Sequence, residues 1–181
     1  FGLDPSIEML AQARPDRVRC LLGAAQALGF ARGAFDLIFS VDGIHHIGDK
    51  AAFYRGAARA LRPGGLLCTV TDSADMIRRR EILSGYFPET VEIELARYPR
   101  IAQLRAWMIV AGLEASRISV VEEAYEITSA QPFRDRAYSS LHLIPDEAWL
   151  AGVERLEQAL DRGPIRGVAR YACVWGNKPV A

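Results

Sequence analysis

The sequence has 181 residues, 50% of them hydrophobic, which suits one domain with a sizeable core and is too short for two. Its 22 Lys and Arg balance its 22 Asp and Glu, so no overall field draws the chain to nucleic acid or to an anionic membrane, and a small neutral or modestly charged partner fits better. No apolar run reaches the roughly 18 residues of a membrane span and no basic-then-apolar leader precedes Phe1, so a cytoplasmic protein is expected.

The opening FGLDPSIEML reads as the end of a buried strand, an acidic residue, a Pro-Ser helix start and a helix. A chain that begins inside a βα unit and without Met is expected to be the remainder of something longer. Ile7, Leu10, Ala11 and Arg14 keep helical spacing, with Pro5 placed in the first turn, where its missing N–H costs nothing. RVRCLLGAA is a short strand, and FDLIFSVDGI has the bulky apolar run of a strand buried on both faces. Phe53, Ala57, Ala60 and Leu61 line a helix that RPGG stops, and GLLCTVTDS is the next buried strand.

Residues 74–85 read as helical, and Ile101, Leu104 and Met108 mark a helix closed by Gly112. ISVVEEAYEIT is a strand, Trp149, Val153, Leu156 and Leu160 make a helical stripe ending at Gly163, and RYACVWGNKP closes the chain as a strand. Cys20, Cys68 and Cys173 lie far apart inside apolar runs and read as buried free thiols, with no bridge and no metal site. Strands alternating with helices imply an α/β fold with an open, mostly parallel, doubly wound sheet in a single domain, 1–181, with residues 73–100 as an insertion able to act as a lid.

Ligands of such sheets bind beyond the carboxyl ends of the strands, which here carry Asp4 with Pro5, then Gly23 to Ala25, then Ser40 to His46, then Asp72 with Ser73. Asp4 suits a pair of ribose hydroxyls, or caps its helix. The run Arg78, Arg79, Arg80 reads as a solvated helix face, with an acidic substrate as the alternative, and Tyr86, Pro88 and Tyr98 fall in the same insertion.

The succession GLDPSIEMLAQAR, LLGAAQAL, AFDLIFSVDGIHHI and RALRPGGLLCTVTD resembles the class I S-adenosylmethionine-dependent methyltransferases, in particular the small-molecule type 11-like group, over most of the chain. The resemblance implies a Rossmann-like, seven-stranded sheet with an antiparallel last strand, S-adenosylmethionine as cofactor and a small-molecule methyl acceptor. It carries Asp4 over as the ribose ligand, Pro5 and Ala25 as neighbours of the adenine, and Ser40 as a residue near the methionine part. Ala24 stands where many members have an Asp that accepts from the adenine amino group, so recognition there is weakened or left to the backbone. The family's first strand and glycine-rich loop have no counterpart, because they would lie upstream of Phe1. That strand would run between the strands of residues 1–3 and 35–41, whose facing edges would lack a partner.

Methyl transfer needs a nucleophile held in line with the sulfur–carbon bond, water excluded, and a base where the nucleophile is a hydroxyl. His46 is favoured for that base over His45, since consecutive residues on a strand end face opposite ways and one at most reaches the pocket; both could instead be structural. Asp72 is a second catalytic candidate, or a helix cap. Besides O- or N-directed methyl transfer, two other readings stand: an inactive, truncated interaction module and a nicotinamide-dependent oxidoreductase. A homo-oligomer is open to any of them.

Overall fold

In the computed structural model, which describes residues 1–13 and 17–180, strands and helices alternate from the outset. β1 (Gly2–Asp4) leads into α1 (Ile7–Ala11), whose N-cap is Ser6; its hydroxyl accepts from the Met9 N–H at 3.2 Å. Pro5 therefore precedes the cap instead of occupying the first turn, and Arg14 lies outside the described residues. β2 (Cys20–Leu22) pairs in parallel with β1, setting Asp4 opposite Leu22. A 3-10 turn at Ala25–Ala27, β3 (Phe35–Val41), a second 3-10 turn at Ile44–His46, α2 (Lys50–Ala60) and β4 (Leu61–Thr71) follow. The remainder comprises α3 (Ala74–Arg78), α4 (Leu83–Tyr86), α5 (Thr90–Arg97), α6 (Ile101–Val110), β5 (Glu114–Ile127), α7 (Gln131–Arg134), α8 (Asp146–Leu160) and β6 (Ile165–Asn177). No helix among the described residues is long and apolar enough to cross a membrane.

The chain divides into two compact units. The first holds Phe1–Val70, Ile101–Ile118 and the stretch from Val174; the second holds Thr71–Arg100 and Ser119–Cys173. In the first unit β3 and β4 run parallel, with Phe39 opposite Cys68 and Ser40 opposite Thr69. The pairing jumps between Phe35 and Leu37, where β4 detours through Arg62, Pro63 and Gly64 at φ +75°, a backbone region that favours glycine. The RPGG corner thus lies within a strand that begins at Leu61, four residues before the start expected at Gly65.

The end of β6 lies beside β4, Lys178 N–H donating to Gly65 O and Gly64 N–H to Lys178 O, both at 2.9 Å. Lys178 Nζ also donates to Leu61 O at 2.6 Å. β6 is antiparallel to β5: Asn177 meets Glu114 and Ser116 meets Trp175, and further along Arg170 meets Glu122 and Arg166 meets Glu126, one number falling as the other rises. The antiparallel last strand is as expected.

β1 and β2 form one two-stranded sheet, while β3 belongs to a four-stranded sheet ordered β3-β4-β6-β5. The two strands expected to flank a further strand are therefore in separate sheets, and the described residues hold six strands. Aromatic edge contacts join their beginnings, with Phe1 to Phe35 at 6.0 Å and Phe30 to Phe35 at 4.7 Å between ring centroids. β3 is not buried on both faces. Leu37, Phe39 and Val41 point one way and are 48%, 65% and 60% exposed, while Phe35 and Ile38 pack against the core.

That core is built from Phe53, Tyr54 and Ala57 of α2, Leu104 and Met108 of α6, Leu61 and Leu67 of β4, and Val174. Tyr54 is fully buried, its hydroxyl 2.9 Å from Thr69 Oγ1. Burial pushes its phenol up to about 12, against a smaller opposing effect of the Thr69 bond. The folded pKa lies above the unfolded value of 10.0, so the contribution of about 2 to 3 kcal/mol is complete below pH 10 and is lost as pH rises towards 12. Alkaline titration followed by phenolate absorbance and circular dichroism should show Tyr54 ionising together with unfolding, and Tyr54→Phe should unfold at higher pH than the parent. Ionisation of every tyrosine before unfolding would contradict this.

The second unit has its own core of Ile82, Leu83, Phe87, Phe133, Leu141, Ile144, Val153 and Leu156. Phe87 stacks on Phe133 at 5.6 Å, and Trp149 of α8 donates from Nε1 to Phe133 O at 2.9 Å. α8 turns its buried Gly152 towards the Phe87 ring, a contact the stripe of larger apolar residues did not disclose. Of the cysteines, Cys68 and Cys173 are buried and Cys20 is half-buried, all three as free thiols.

Candidate functional site

In the first unit the carboxyl ends of β1, β2 and β3 carry the expected residues. Asp4 closes β1, and its Oδ1 accepts from the Ser6 N–H at 2.8 Å, which fixes the carboxylate beside the start of α1. The cap itself is Ser6, so the helix-cap role offered for Asp4 falls to its neighbour. A carboxylate has about four acceptor positions, and this turn uses one, so Asp4 retains the capacity to accept from a hydroxyl pair. Pro5 is exposed at the same turn.

Gly23 N–H donates to Asp4 O at 3.1 Å and continues the β1–β2 ladder to the next bend. There Ala24, in extended backbone, begins the 3-10 turn, and Ala25 packs on the first unit's core. Ala24 brings no side-chain acceptor, so polar recognition at this corner falls to main-chain groups.

Ser40 is half-buried in the last turn of the β3–β4 ladder. Asp42 N–H donates to Val70 O at 3.0 Å, and Asp42 itself adopts φ +45°, a left-handed conformation uncommon outside glycine but tolerated by Asp. This reversal turns the chain into the 3-10 turn that bears both histidines. His45 and His46 therefore do not face opposite ways as on a strand: their ring centroids are 4.0 Å apart at 45°. The His45 side chain is 3% exposed with Nδ1 3.8 Å from Asp42 Oδ1, whereas His46 is exposed. The arrangement is one imidazole facing solvent, backed by a second that is buried near a carboxylate.

Asp72 lies in the second unit, in a buried ion network. Its Oδ2 accepts from Arg80 Nε at 2.9 Å and also from Arg80 Nη2; Arg80 Nη1 donates to Glu94 Oε2 at 2.8 Å, and Arg97 Nη1 to Glu94 Oε1 at 3.0 Å. Arg97 also reaches Ser139 Oγ at 3.1 Å, and the Arg80 guanidinium lies over the Tyr98 ring at 5.6 Å. Burial opposes the charge of Arg80, but its carboxylate partners prevail and hold the guanidinium above its ordinary range. The cap of α3 is Ser73, whose hydroxyl accepts from Met76 N–H at 3.2 Å, so Asp72 is not a cap.

The arginine run is split. Arg78 and Arg79 are exposed, Arg79 pairing with Asp75 one helical turn back, while Arg80 leaves the helix and turns inward. The expectation of a solvated face holds for two of the three. Sequence reading missed Glu94 altogether, since a buried Glu in α5 looks like any surface Glu.

Residues 1–69 match the family described as Methyltransferase domain, a segment that includes Asp4, Ala24, Ala25, Ser40, His45 and His46 and stops short of Asp72. The ubiquinone biosynthesis O-methyltransferase of Parvibaculum lavamentivorans is 43% identical over 103 residues, covering 54% of this chain and 40% of that protein. The 27-O-demethylrifamycin SV methyltransferase of Amycolatopsis mediterranei is 28% identical over 152 residues, covering 68% of this chain and 54% of the relative. The chain thus spans about half the length, or less, of these curated relatives. A solved structure from Anabaena variabilis, described as a methyltransferase of an antibiotic biosynthesis pathway, shares the fold with a TM-score of 0.65 at 21% identity, covering 95% of this chain and 79% of that one.

Proposed function

We propose that this chain, which shares the class I S-adenosylmethionine-dependent methyltransferase fold and whose residues 1–69 match the methyltransferase-domain family, serves methyl transfer to an oxygen or nitrogen of a small organic molecule. The observation that carries the reading is Asp4: a carboxylate at the end of a parallel strand, held by one backbone N–H and inside the segment that matches the family. Its remaining acceptor positions suit a ribose diol, so the donor set fits the cofactor. Asp4 would hold the ribose, Pro5, Ala24 and Ala25 would border the adenine through backbone and apolar contact, and Ser40 would stand near the methionine part. Bound there, the cofactor supplies a methyl group already activated by its sulfonium.

The chain's own contribution is positioning and proton handling. His46, exposed after β3, accepts the proton of a hydroxyl acceptor, and His45, set against Asp42, backs its ring. Asp72, with Oδ2 given to Arg80, holds residues 73–100 in place instead of taking the proton. Those residues, as α3, α4 and α5, are the insertion that would choose the acceptor. The balanced charge supports a small-molecule partner over nucleic acid. No finding favours the inactive interaction module or the nicotinamide-dependent oxidoreductase.

The test is calorimetric titration of the full natural protein with S-adenosylhomocysteine and with NAD. S-adenosylhomocysteine should bind and NAD should not. Asp4→Asn should weaken the former by about 1 to 3 kcal/mol, the scale of a charge-assisted hydrogen bond. His46→Ala should lower turnover about a hundredfold at unchanged cofactor affinity. Equal affinity in Asp4→Asn would return that residue to turn formation alone.

A further inference from the structure

Within the second unit, the outer arms of β5 and β6 form a ribbon with an open cleft of about 430 Å³ on it, lined by Glu81, Ala124, Tyr125, Glu126, Arg166, Gly167 and Val168. Its floor is built for an aromatic ring. Gly167 is buried, and a Cβ placed on it would come within 2.7 Å of both Cζ and the hydroxyl of Tyr125, so glycine lets the Tyr125 ring lie on the neighbouring strand's backbone. Burial, and next the charge of Glu81, push the Tyr125 phenol upward, so it stays a neutral wall at physiological pH.

The rim is unbalanced in charge. Arg166 Nε bonds Glu126 at 3.2 Å, one cation to one anion. Arg170 alone serves two carboxylates, Glu81 at 2.8 Å and Glu122 at 3.1 Å. Three carboxylates thus face two guanidiniums. Arg80, next in the chain to Glu81, does not make up the difference, because it and Arg97 are matched by Asp72 and Glu94. Although burial works to raise it, Glu81 is held below the usual carboxylate range, chiefly by its bond from Arg170, and remains an anion.

We propose that this cleft binds a small organic cation that carries an apolar or aromatic part, its ammonium against Glu81 and its apolar part against Tyr125. A carboxylate supplies the charge that Arg170 leaves half-compensated, and a tyrosine ring attracts both a cation and apolar surface. An anionic ligand would add to the carboxylate excess, and a neutral one would keep the ring contact and lose the rest.

The proposal is tested by titrating the protein, without S-adenosylmethionine, with benzylammonium, benzyl alcohol and benzoate under NMR or calorimetric detection. Methyl transfer is not needed for the readout, so failure here and failure of the proposed activity are separate results. Benzylammonium should bind about fivefold more tightly than benzyl alcohol, the scale of a partly exposed cation–π and ion-pair contact, and benzoate should not saturate. Glu81→Gln should bring benzylammonium down to the level of benzyl alcohol while leaving the alcohol unchanged. Gly167→Ala, by displacing Tyr125, should weaken both. If Glu81→Gln melts early, Glu126→Gln provides the second charge variant, with a smaller loss in the same direction. Benzoate binding as well as benzylammonium, no saturable binding by any probe, or an ammonium advantage that survives both charge variants would each overturn the assignment.

Discussion

Replacing Arg80 by Met is expected to cost about 3 to 5 kcal/mol of folding stability, the range for removing one partner from a buried ion pair. Asp72 and Glu94 have side chains only 5% and 4% exposed, and Arg80 is the guanidinium that serves both. Met preserves much of the aliphatic stem, so what goes is the charge and its hydrogen bonds. Glu94 keeps Arg97 at 3.0 Å, so the change removes one of its two guanidiniums and leaves the other. Urea unfolding should show a lower midpoint with an unchanged slope. Arg80→Lys should fall between parent and Met, because an ammonium is a point charge that cannot span both carboxylates as the planar fork does. Adding Asp72→Asn to Arg80→Met should restore part of the loss, which a double-mutant cycle would read as coupling. A midpoint unmoved in Arg80→Met would mean that water, not Arg80, compensates the two anions.

Gly152→Ala should destabilise by about 3 kcal/mol, although Ala is intrinsically the better helix former by about 1 kcal/mol. The added Cβ would sit 2.3 and 2.4 Å from two carbons of the buried Phe87 ring and 2.9 Å from Tyr86 O. The ring has little freedom to withdraw, since Phe87 is fully buried and stacks on Phe133. The backbone carbonyl is held too, as Arg155 donates to Tyr86 O at 2.7 Å. Thermal or urea unfolding measures the loss, and Phe87→Leu in the Gly152→Ala background should recover stability relative to the sum of the single changes. A Gly152→Ala protein as stable as the parent would show that α8 can shift outward without penalty.

These two expectations mark where the sequence could be read and where it could not. Periodicity disclosed α2, α6 and α8, because Phe53, Leu104, Met108 and Leu156 repeat at helical spacing and are buried for that reason. β3 and β4 announced themselves by runs rich in apolar residues. The burial of β3 did not follow from its composition, since Phe39 is apolar and exposed; composition says what a strand can bury, and its neighbours decide what it does bury. The position of Asp4 was legible because it depends on a local pattern, a carboxylate between a strand and a Ser-capped helix. The Arg80 network was not, because Asp72, Arg80 and Glu94 lie 8 and 14 residues apart and only tertiary structure brings them into register. Gly152 was hidden for the opposite reason: what it contributes is the absence of a side chain. The histidines were found as residues but not as a geometry, because the positive φ of Asp42 replaces the strand end with a 3-10 turn.

The bonds that anchor Lys178 to Leu61 O at 2.6 Å and Lys50 to Ile47 O at 2.7 Å have a bearing on chemical labelling. These are the two lysines of the sequence; every other basic residue among the 22 is arginine. Both lie in the first unit, and the second has no side-chain amine at all. An acylating reagent is therefore a selective reporter. It reads the opening of the turn before α2 through Lys50 and the release of the β6 end from the RPGG corner through Lys178, while the second unit stays invisible to it. An arginine-directed dicarbonyl gives the complementary footprint, with exposed Arg78 and Arg79 reacting ahead of the inward-turned Arg80.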